Sequence, residues 1–373
     1  MTFNIGLVIN PLAGLGGSVA LKGSDNVAEQ ALALGAVAKA NVRCLQALVE
    51  LEGLDVCVYA FAGNMGADCA LAAGLKTEIV GHAKTQPSKA QDTMAAAQLL
   101  LKRGVDLLVF TGGDGTARDL LQAIGDEVPV VGIPAGVKIH SGVYGITPAA
   151  AGQVIAQLVK GELVSLRSQE VRDIDEEEFR AGRVKARYYG ELQVPESHQY
   201  MQATKDVAKP GAKEVEALVL DDMAAHVEEL MEPQVRYIMG SGSTVAAIMH
   251  CLGLDNTLLG VDVVENGQVI ASDATAQTLL ELCSQHPSQL FITLIGGQGH
   301  VLGRGNQQLS AQLIKQLGIG NMNIVATKTK LKALAGRPLL VDSGDSQLDS
   351  DLAGLVPVIC GFHDVVLYPL GNP

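Results

Sequence analysis

One local pattern occurs four times in the first 145 residues: a short apolar run ends in a turn that contains glycine, and a helical pattern follows. The four runs are residues 5–9, 56–61, 105–110 and 128–133. Alternating strand and helix patterns favour a doubly wound parallel sheet with helices on both faces. The loops after successive strands of such a sheet meet at its carboxyl edge, where open α/β folds bind ligands. The sequence therefore predicts that the four glycine turns share one crevice.

The pattern changes from about residue 147 onwards. Strand-like runs without regular helical crossovers follow at 164–171, 183–194, 218–220 and 235–239, and the last segment, 356–370, is typical of two strands. We therefore predict two domains, an α/β domain over residues 1–146 and a β-rich domain over residues 147–355.

The charge of the chain limits its partners. Lys and Arg total 27 against 40 Asp and Glu, which gives a formal net charge of −13. An acidic surface repels nucleic acids and anionic membranes, so neither is an expected partner. No apolar run approaches the roughly 20 residues of a membrane span, and the N-terminus lacks the basic start of a signal peptide. We expect a cytoplasmic protein in which any phosphate site is local.

The turn at 112–116 reads Gly-Gly-Asp-Gly-Thr. Glycines let main-chain N–H groups approach a phosphate, and a helix that starts there adds partial positive charge. A carboxylate in such a turn repels phosphate unless it holds a metal ion or accepts a proton from an attacking hydroxyl. Both roles for Asp114 belong to phosphoryl transfer. The alternative is that Asp114 caps the helix that begins near Thr116.

Two later turns offer related chemistry. The turn at 240–244, Gly-Ser-Gly-Ser-Thr, suits a diphosphate but equally suits an ordinary Ser/Thr helix cap. In the loop 296–306, the guanidinium of Arg304 can bind a phosphate or pair with an acidic neighbour. His140 and His300 lie in glycine-rich loops where a general acid or base could act, although a lone histidine is more often structural. The turn at 10–17 lacks the lysine and hydroxyl of a P-loop, and the turn at 112–116 is not a G-x-G-x-x-G fingerprint, which argues against a Walker-type NTPase and a conventional dehydrogenase.

These motifs resemble the NAD kinase superfamily, which also includes diacylglycerol kinases, sphingosine kinases and 6-phosphofructokinases. The similarity is carried by the turn at 112–116, the strand and loop from 129 to 147, and the turn at 240–244. The chain is more closely similar to the ATP-NAD kinase-like branch that includes the protein X of acetoin catabolism. The segments that carry this closer similarity are 10–17, 65–68, 92–93, 112–119, 134–138 and 296–307.

The resemblance implies a two-domain kinase fold of the NAD kinase/diacylglycerol kinase type, in which residues 1–146 bind nucleotide and a last segment, about 356–373, can return to that first domain. It implies phosphoryl transfer from ATP, with Mg²⁺, to the 2′-hydroxyl of the adenosine ribose of NAD or to a related nucleotide, in an active site between the domains. Asp114 would be the catalytic aspartate and a ligand of Mg²⁺.

The residues that we expect to contact ATP or the nucleotide substrate come from the glycine turns and the resemblance together. They are Asn10, Gly14, Gly16, Gly17, Gly112, Gly113, Gly115, Thr116, Asp119, Gly136, Gly240, Ser241, Gly242, Ser243, Thr244 and Arg304. The expected partners are small nucleotides and further copies of the chain, because members of the family are commonly dimers or tetramers.

The sequence also departs from the family. NAD kinases carry an Asn-Glu or Asn-Asp pair that grips the dinucleotide, and no asparagine in this chain is followed by Glu or Asp. Pro134 stands where the family usually has Asn. Two alternatives therefore stay open, a kinase of another small hydroxylated metabolite linked to acetoin and a non-catalytic nucleotide-binding sensor. The presence of Asp114 argues against the sensor, because a carboxylate weakens simple phosphate binding.

Overall fold

The computed structural model of the chain describes residues 2–21, 28–136, 139–162, 165–174, 186–197, 200–201, 213–295 and 298–372. The chain divides into two compact units. The first comprises Met1–Leu15 and Gly23–Thr204, and the second comprises Gly16–Lys22 and Lys205–Asn372. Among the described residues, no helix is both long enough and apolar enough to cross a membrane.

The first unit is built on a five-stranded parallel sheet. Its strands are β1 (Phe3–Ile9), β2 (Val56–Phe61), β3 (Lys76–Gly81), β4 (Leu107–Gly112) and β5 (Val130–Pro134). Its described helices are α1 (Ala28–Ala33), α2 (Ala40–Leu48), α3 (Ala67–Ala72), α4 (Ala90–Arg103), α5 (Asp114–Ile124) and α6 (Pro148–Val159). Consecutive residues of β2, β4 and β5 are buried. Successive side chains point to opposite faces of a sheet, so both faces are covered.

The order of the strands is β3-β2-β1-β4-β5. The chain runs outward from β1 to β3 and then crosses to β4 on the other side of β1, which places the topological switch point between β1 and β4. Ligands of open α/β sheets bind outside the carboxyl ends of the strands at this point. The turn after β1 and the turn that contains Asp114 therefore flank the expected ligand position.

The predicted fold class of this unit is confirmed, with β2 at its predicted bounds. Strand β3 was missed because half of its residues are exposed and the rest are only partly buried, so the sequence has no continuous apolar run there. Gly104 ends α4 in the left-handed conformation, with φ of 74°. The start of α4 lies at Lys89 and Ala90, where the Asp92 carboxylate accepts a hydrogen bond from the Lys89 N–H.

Two antiparallel strands, β6 (Leu166–Ile174) and β7 (Ala186–Pro195), also belong to the first unit. Val171, Leu192 and Val194 from this pair join its hydrophobic core. The division of the chain in the structure therefore falls after Thr204, not at the predicted position between 146 and 147. The change of pattern after residue 147 marks a switch from parallel to antiparallel pairing within one unit, which a sequence pattern does not distinguish from a new domain.

The second unit contains a seven-stranded mixed sheet and a separate parallel pair. Its strands are β8 (Arg236–Met239), β9 (Asp262–Glu265), β10 (Gln268–Ala271), β11 (Ser288–Thr293), β12 (His300–Leu302), β13 (Met322–Val325), β14 (Leu340–Val341), β15 (Gly354–Gly361) and β16 (Asp364–Leu370). The sheet order is β10-β9-β8-β11-β13-β15-β16, and β12 pairs with β14. The predicted strand-rich character of this region is confirmed.

Helices alternate with these strands more than the sequence pattern indicated. The described ones are α7 (Lys213–Leu230), α8 (Ser243–Cys251), α9 (Ala276–Cys283), α10 (Ala311–Leu317), α11 (Lys328–Lys332) and α12 (Ser346–Asp351). The strand predicted at 218–220 is wrong, because these residues lie inside α7. A run of three apolar residues does not separate a period of two from a period of 3.6.

The C-terminal strands β15 and β16 form an antiparallel hairpin, and β15 also pairs with β13. The prediction of two strands at 356–370 is therefore confirmed. These strands belong to the sheet of the second unit, whereas the resemblance implied that the segment can return to the first domain.

Candidate active site

Asn10 connects the turn after β1 to the start of α5. Its backbone N–H donates to the carbonyl oxygen of Thr111 over 2.9 Å, and its side-chain Nδ2 donates to Oγ1 of Thr116 over 3.2 Å. Its Oδ1 accepts from the N–H of Leu12. Asn10 and Thr116, both predicted to contact nucleotide, are thus brought together and bonded to each other.

Three of the glycine turns converge at this edge. Gly14 has φ of +74°, and a Cβ there would overlap the carbonyl oxygen of Ala135. The N–H groups of Ala135 and Gly136 donate to the carbonyl oxygen of Gly112, over 2.9 and 3.0 Å. A Cβ on Gly113 would lie 3.1 Å from Cα of Gly136. Glycine is needed here because the backbones themselves are in contact.

The carboxylate of Asp114 is buried, with the residue 4% exposed, and it is held by the loop after β5. Its Oδ2 accepts from the backbone N–H of His140 over 2.7 Å, and its Oδ1 accepts from the N–H and the hydroxyl of Ser141, over 3.1 and 2.6 Å. Nδ1 of His140 lies 3.3 Å from Oδ2. Helix α5 begins at Asp114 itself, with Gly113 as its N-cap, so Asp114 is not the helix cap of the alternative interpretation.

The hydroxyl of Ser141 has two acceptors within reach. It lies 2.6 Å from Oδ1 of Asp114 and 2.9 Å from the carbonyl oxygen of Arg172, and it accepts from the N–H of Arg172. A hydroxyl has one proton, so it donates to one of the two at a time. When it donates to Arg172, one acceptor position of the Asp114 carboxylate becomes free. The carboxylate can then bind a cation or accept a proton while it keeps both backbone hydrogen bonds.

Tyr144 also stabilises the turn at 112–116. Its hydroxyl donates to the carbonyl oxygen of Gly113 over 2.6 Å, and its ring packs edge-to-face on Phe110 with centroids 5.2 Å apart. A Cβ on Gly132 would lie 2.5 Å from this ring. Sequence reasoning missed Tyr144 and Ser141. The available signals were weak, because Ser141 is one of several polar residues in a glycine-rich loop and Tyr144 is its one aromatic residue.

Asp119 does not join Asp114. It lies five residues later on α5, roughly 140° around the helix. Its neighbour Arg118 forms an ion pair with Asp173 over 3.0 Å. Partial burial lowers the pKa of Arg118, but the charge of Asp173 and further contacts raise it above its ordinary value. This end of the 112–119 segment therefore holds α5 against β6.

In the second unit, the turn 240–244 joins β8 to α8. Gly242 is the N-cap of α8 and has φ of +124°, so the Ser/Thr cap of the alternative interpretation is not formed. The N–H groups of Gly240 and Gly242 donate to the carbonyl oxygens of Phe291 and Leu258, over 2.8 and 2.9 Å. These two N–H groups are therefore engaged by the protein and do not form the predicted diphosphate cradle.

The side chains of this turn reach two other segments. Ser241 donates from its hydroxyl to the carbonyl oxygen of Gly305 over 2.9 Å, and Thr244 accepts at Oγ1 from Nζ of Lys330 over 2.7 Å. Ser243 starts α8 and is exposed. Lys330, on α11, was not predicted. It follows β13, and β13, like β8, runs parallel to β11 in the sheet.

Arg304 lies in the loop after β12 and is 4% exposed. Gly303 has φ of +99°, and a Cβ there would overlap the carbonyl oxygen of Asp342. Asn306 accepts at Oδ1 from the N–H of Gly303 and donates from Nδ2 to the carbonyl oxygen of Val301. The loop that carries the guanidinium is thus fixed on both sides.

Gly16 and Gly17 group with the second unit, unlike Asn10 and Gly14. A Cβ on Gly17 would overlap the side chain of Gln307. The expectation that all four residues form one turn of the first domain is corrected by this grouping. Parts of two other predicted segments, residues 137–138 and 296–297, lie outside the described residues.

Two groups of residues result, one in each unit. The Asp114 cluster comprises Asn10, Gly14, 112–116, Gly136, His140 and Ser141. The Thr244 cluster comprises Ser241, Thr244, Gly305 and Lys330. Each lies where parallel strands end and a helix begins.

Comparison with protein-family models gives two matches. Residues 5–163 match the ATP-NAD kinase N-terminal domain, and residues 233–370 match the ATP-NAD kinase C-terminal domain. Together the two matches span well over half of the chain, and they contain the Asp114 cluster and the Thr244 cluster respectively. Searches of curated proteins and of solved structures found no significant match.

Proposed function

Because the chain belongs to the ATP-NAD kinase family, we propose that it is a kinase that transfers a phosphoryl group from ATP, with Mg²⁺, to the 2′-hydroxyl of the adenosine ribose of NAD or to a related nucleotide. The observation that carries this proposal is the Asp114 carboxylate, held by His140 and Ser141 at the switch point of the first sheet. A buried carboxylate among glycine turns suits phosphoryl transfer better than simple binding of phosphate.

Asp114 would accept the proton of the attacking hydroxyl. The two backbone N–H groups of His140 and Ser141 hold its oxygens in fixed directions, while the Ser141 hydroxyl can turn to another acceptor. A base positioned in this way contributes roughly 10²- to 10⁴-fold to a rate. Asn10 and Tyr144 would keep the turn itself in place.

The residues of the Asp114 cluster fit the groups that the family implies. Mg²⁺ prefers oxygen ligands, and Oδ1 of Asp114 offers one when the Ser141 hydroxyl donates to Arg172. The phosphates of ATP would suit the N-terminus of α5, where the first N–H groups have no partner within the helix. Bound Mg²⁺ would supply positive charge against the charge on the transferred phosphoryl group.

The Thr244 cluster contains a lysine, whereas the described residues of the Asp114 cluster include neither lysine nor arginine. Lys330 is fixed by its hydrogen bond to Thr244 and is a compact positive charge of the kind that binds phosphate. We propose that this lysine binds a phosphate of one of the nucleotides.

The proposal is tested by NADP formation from NAD, ATP and Mg²⁺. We expect turnover by the unaltered protein, a loss of about 10³-fold in Asp114→Asn, and full activity in Asp126→Asn, which changes an exposed carboxylate. The amide at position 114 faces two backbone N–H donors, so Asp114→Asn will also unfold more easily, by about 1–3 kcal/mol. Circular dichroism at the assay temperature separates this effect from catalysis. Normal turnover by folded Asp114→Asn would rule out the proposed role of Asp114.

A second acceptor class is favoured by one observation, the absence of an Asn-Glu or Asn-Asp pair from the sequence. If the protein forms no NADP, release of ADP from ATP and Mg²⁺ in the presence of other small hydroxylated metabolites tests this second candidate. Nucleotide binding without turnover on any acceptor would instead favour the sensor.

A further inference from the structure

Two histidines and a glutamate of the second unit meet away from the Thr244 cluster, and nothing in the kinase proposal uses them. His226 and Glu229 are three residues apart on α7, and residues with this spacing lie on the same side of a helix. His363 lies in the short turn between β15 and β16. Elements that are more than 130 residues apart in sequence thus bring three potential metal ligands to one place.

The spacing of the ligand atoms is close to that of a metal site. Nε2 of His363 lies 2.9 Å from Oε2 of Glu229, and Nδ1 of His226 lies 3.4 Å from the same oxygen. All three atoms lie within 4.8 Å of one another. Zinc binds nitrogen and oxygen at about 2.0–2.2 Å in tetrahedral geometry, so its ligand atoms are separated by roughly 3.3–3.5 Å. Small side-chain rotations are enough to surround an ion.

One ligand is fixed and two can adjust. His226 is 8% exposed, and its ring packs against the rings of Phe362 and His363, with centroids 5.9 and 4.9 Å apart. Neighbouring residues of α7, Met223 and Val227, belong to a hydrophobic core of the second unit. The side chains of Glu229 and His363 are 51% and 61% exposed, which leaves space for water as a fourth ligand.

The donor types select the metal. Two imidazole nitrogens and one carboxylate oxygen suit Zn²⁺ and related first-row ions, whereas Mg²⁺ and Ca²⁺ prefer an all-oxygen set. We propose that His226, Glu229 and His363 form a Zn²⁺ site that links α7 to the β15–β16 hairpin, with one coordination position open to water. The competing explanation for the same contacts is a metal-free network in which a charged imidazole pairs with Glu229.

The experiment is a Zn²⁺ titration of the full chain after removal of metal with a chelator, with a chromophoric competitor as the readout and with thermal unfolding measured in parallel. We expect tight binding of one Zn²⁺ per chain and a higher unfolding temperature with the ion. His363→Asn and Glu229→Gln should each weaken binding at least tenfold. Asparagine is chosen because His363 has φ of +50°, which asparagine tolerates better than most residues.

His286→Ala is the matched control, since His286 is exposed and lies outside the three-residue cluster. It should bind Zn²⁺ like the unaltered protein. Two results would overturn the proposal: the absence of Zn²⁺ binding by the unaltered chain, or equal binding by folded His363→Asn. Either result would assign the contacts to the metal-free network. The titration uses no nucleotide, so its result is separate from that of the kinase assay.

Discussion

The two units repeat one arrangement with opposite charge. In each, a glycine turn follows a parallel strand and leads into a helix, but the Asp114 cluster surrounds a buried carboxylate and the Thr244 cluster carries the ammonium group of Lys330. In the first cluster the backbone N–H groups of His140 and Ser141 are directed at a side chain, whereas in the second those of Gly240 and Gly242 are directed at carbonyl oxygens. A glycine turn therefore does not determine the chemistry of a site. The polar side chains that it places, and the partners they find, do.

We expect the largest effect on stability at glycines whose missing side chain lets two backbone segments come into contact. Gly14→Ala adds a Cβ that overlaps the carbonyl oxygen of Ala135 at a positive φ, and we expect a loss of about 2–4 kcal/mol in the free energy of unfolding. Gly303→Ala is the equivalent change in the second unit, beside Asp342. Gly53→Ala is the control, because Gly53 has φ of +78° but open space around it, and should lose only about 1 kcal/mol. Denaturant unfolding measures all three, and equal losses would show that contact at Gly14 and Gly303 is unimportant.

Ser141 and Ser241 offer a direct comparison of the two clusters. Ser141→Ala removes the hydroxyl that can donate either to the Asp114 carboxylate or to the carbonyl oxygen of Arg172. We expect kcat to fall roughly 10- to 100-fold with little change in KM. Ser241→Ala removes a hydrogen bond to Gly305 and should raise KM for the nucleotide with little change in kcat. Steady-state kinetics with saturating Mg²⁺ separates the two. The distinction between the clusters fails if both variants change the same constant.

Lys330 tests whether the second cluster binds phosphate. Lys330→Met removes the charge but keeps an unbranched apolar side chain, and we expect ATP to bind about tenfold more weakly, which is about 1.4 kcal/mol. Lys332→Met, on the same helix but exposed, is the matched control and should change binding little. Calorimetric titration at two salt concentrations is the measurement. Unchanged affinity in Lys330→Met would leave the lysine with a structural role only.

The sequence singles out Asp114 as a candidate, but it does not predict which residues hold the Asp114 carboxylate. A carboxylate between glycines is a local motif, and it was identified as such. Its partners His140 and Ser141 are 26 and 27 residues away, and Lys330 is 86 residues from Thr244, so these pairs depend on strand order and loop paths that no local pattern contains.

Strands were predictable only where they leave a local pattern in the sequence. The buried strand β2 was found at its bounds, while the exposed edge strand β3 was not, because only a strand buried on both faces gives a continuous apolar run. In the second unit, the sequence indicated the helices that follow the turn at 240–244 and the loop 296–306, but it missed the others. The short apolar run inside α7 was instead interpreted as a strand.

The smallest effect is expected at Asp92, a second buried carboxylate of the first unit, which we compare with Asp114. Asp92 accepts hydrogen bonds from the Lys84 N–H, the Thr85 hydroxyl and the Lys89 N–H, all within eight residues. Burial raises the pKa of Asp92, but these hydrogen bonds together lower it by more than burial raises it. The pKa therefore lies below its ordinary value. The folded state therefore gains stability above the unfolded pKa and loses it as the pH falls through the folded value.

We expect Asp92→Asn to lower the free energy of unfolding by about 1 kcal/mol at pH 7, with the difference from the unaltered protein shrinking below about pH 4. Its kinase turnover at pH 7 should remain, unlike that of Asp114→Asn, because Asp92 joins only local segments. Asp126→Asn, the exposed control, should show no pH-dependent difference. If Asp92→Asn instead abolished turnover in a folded protein, the sequence separation of the hydrogen-bond partners would not distinguish a structural carboxylate from a catalytic one here, and the case for Asp114 would depend on its position at the switch point alone.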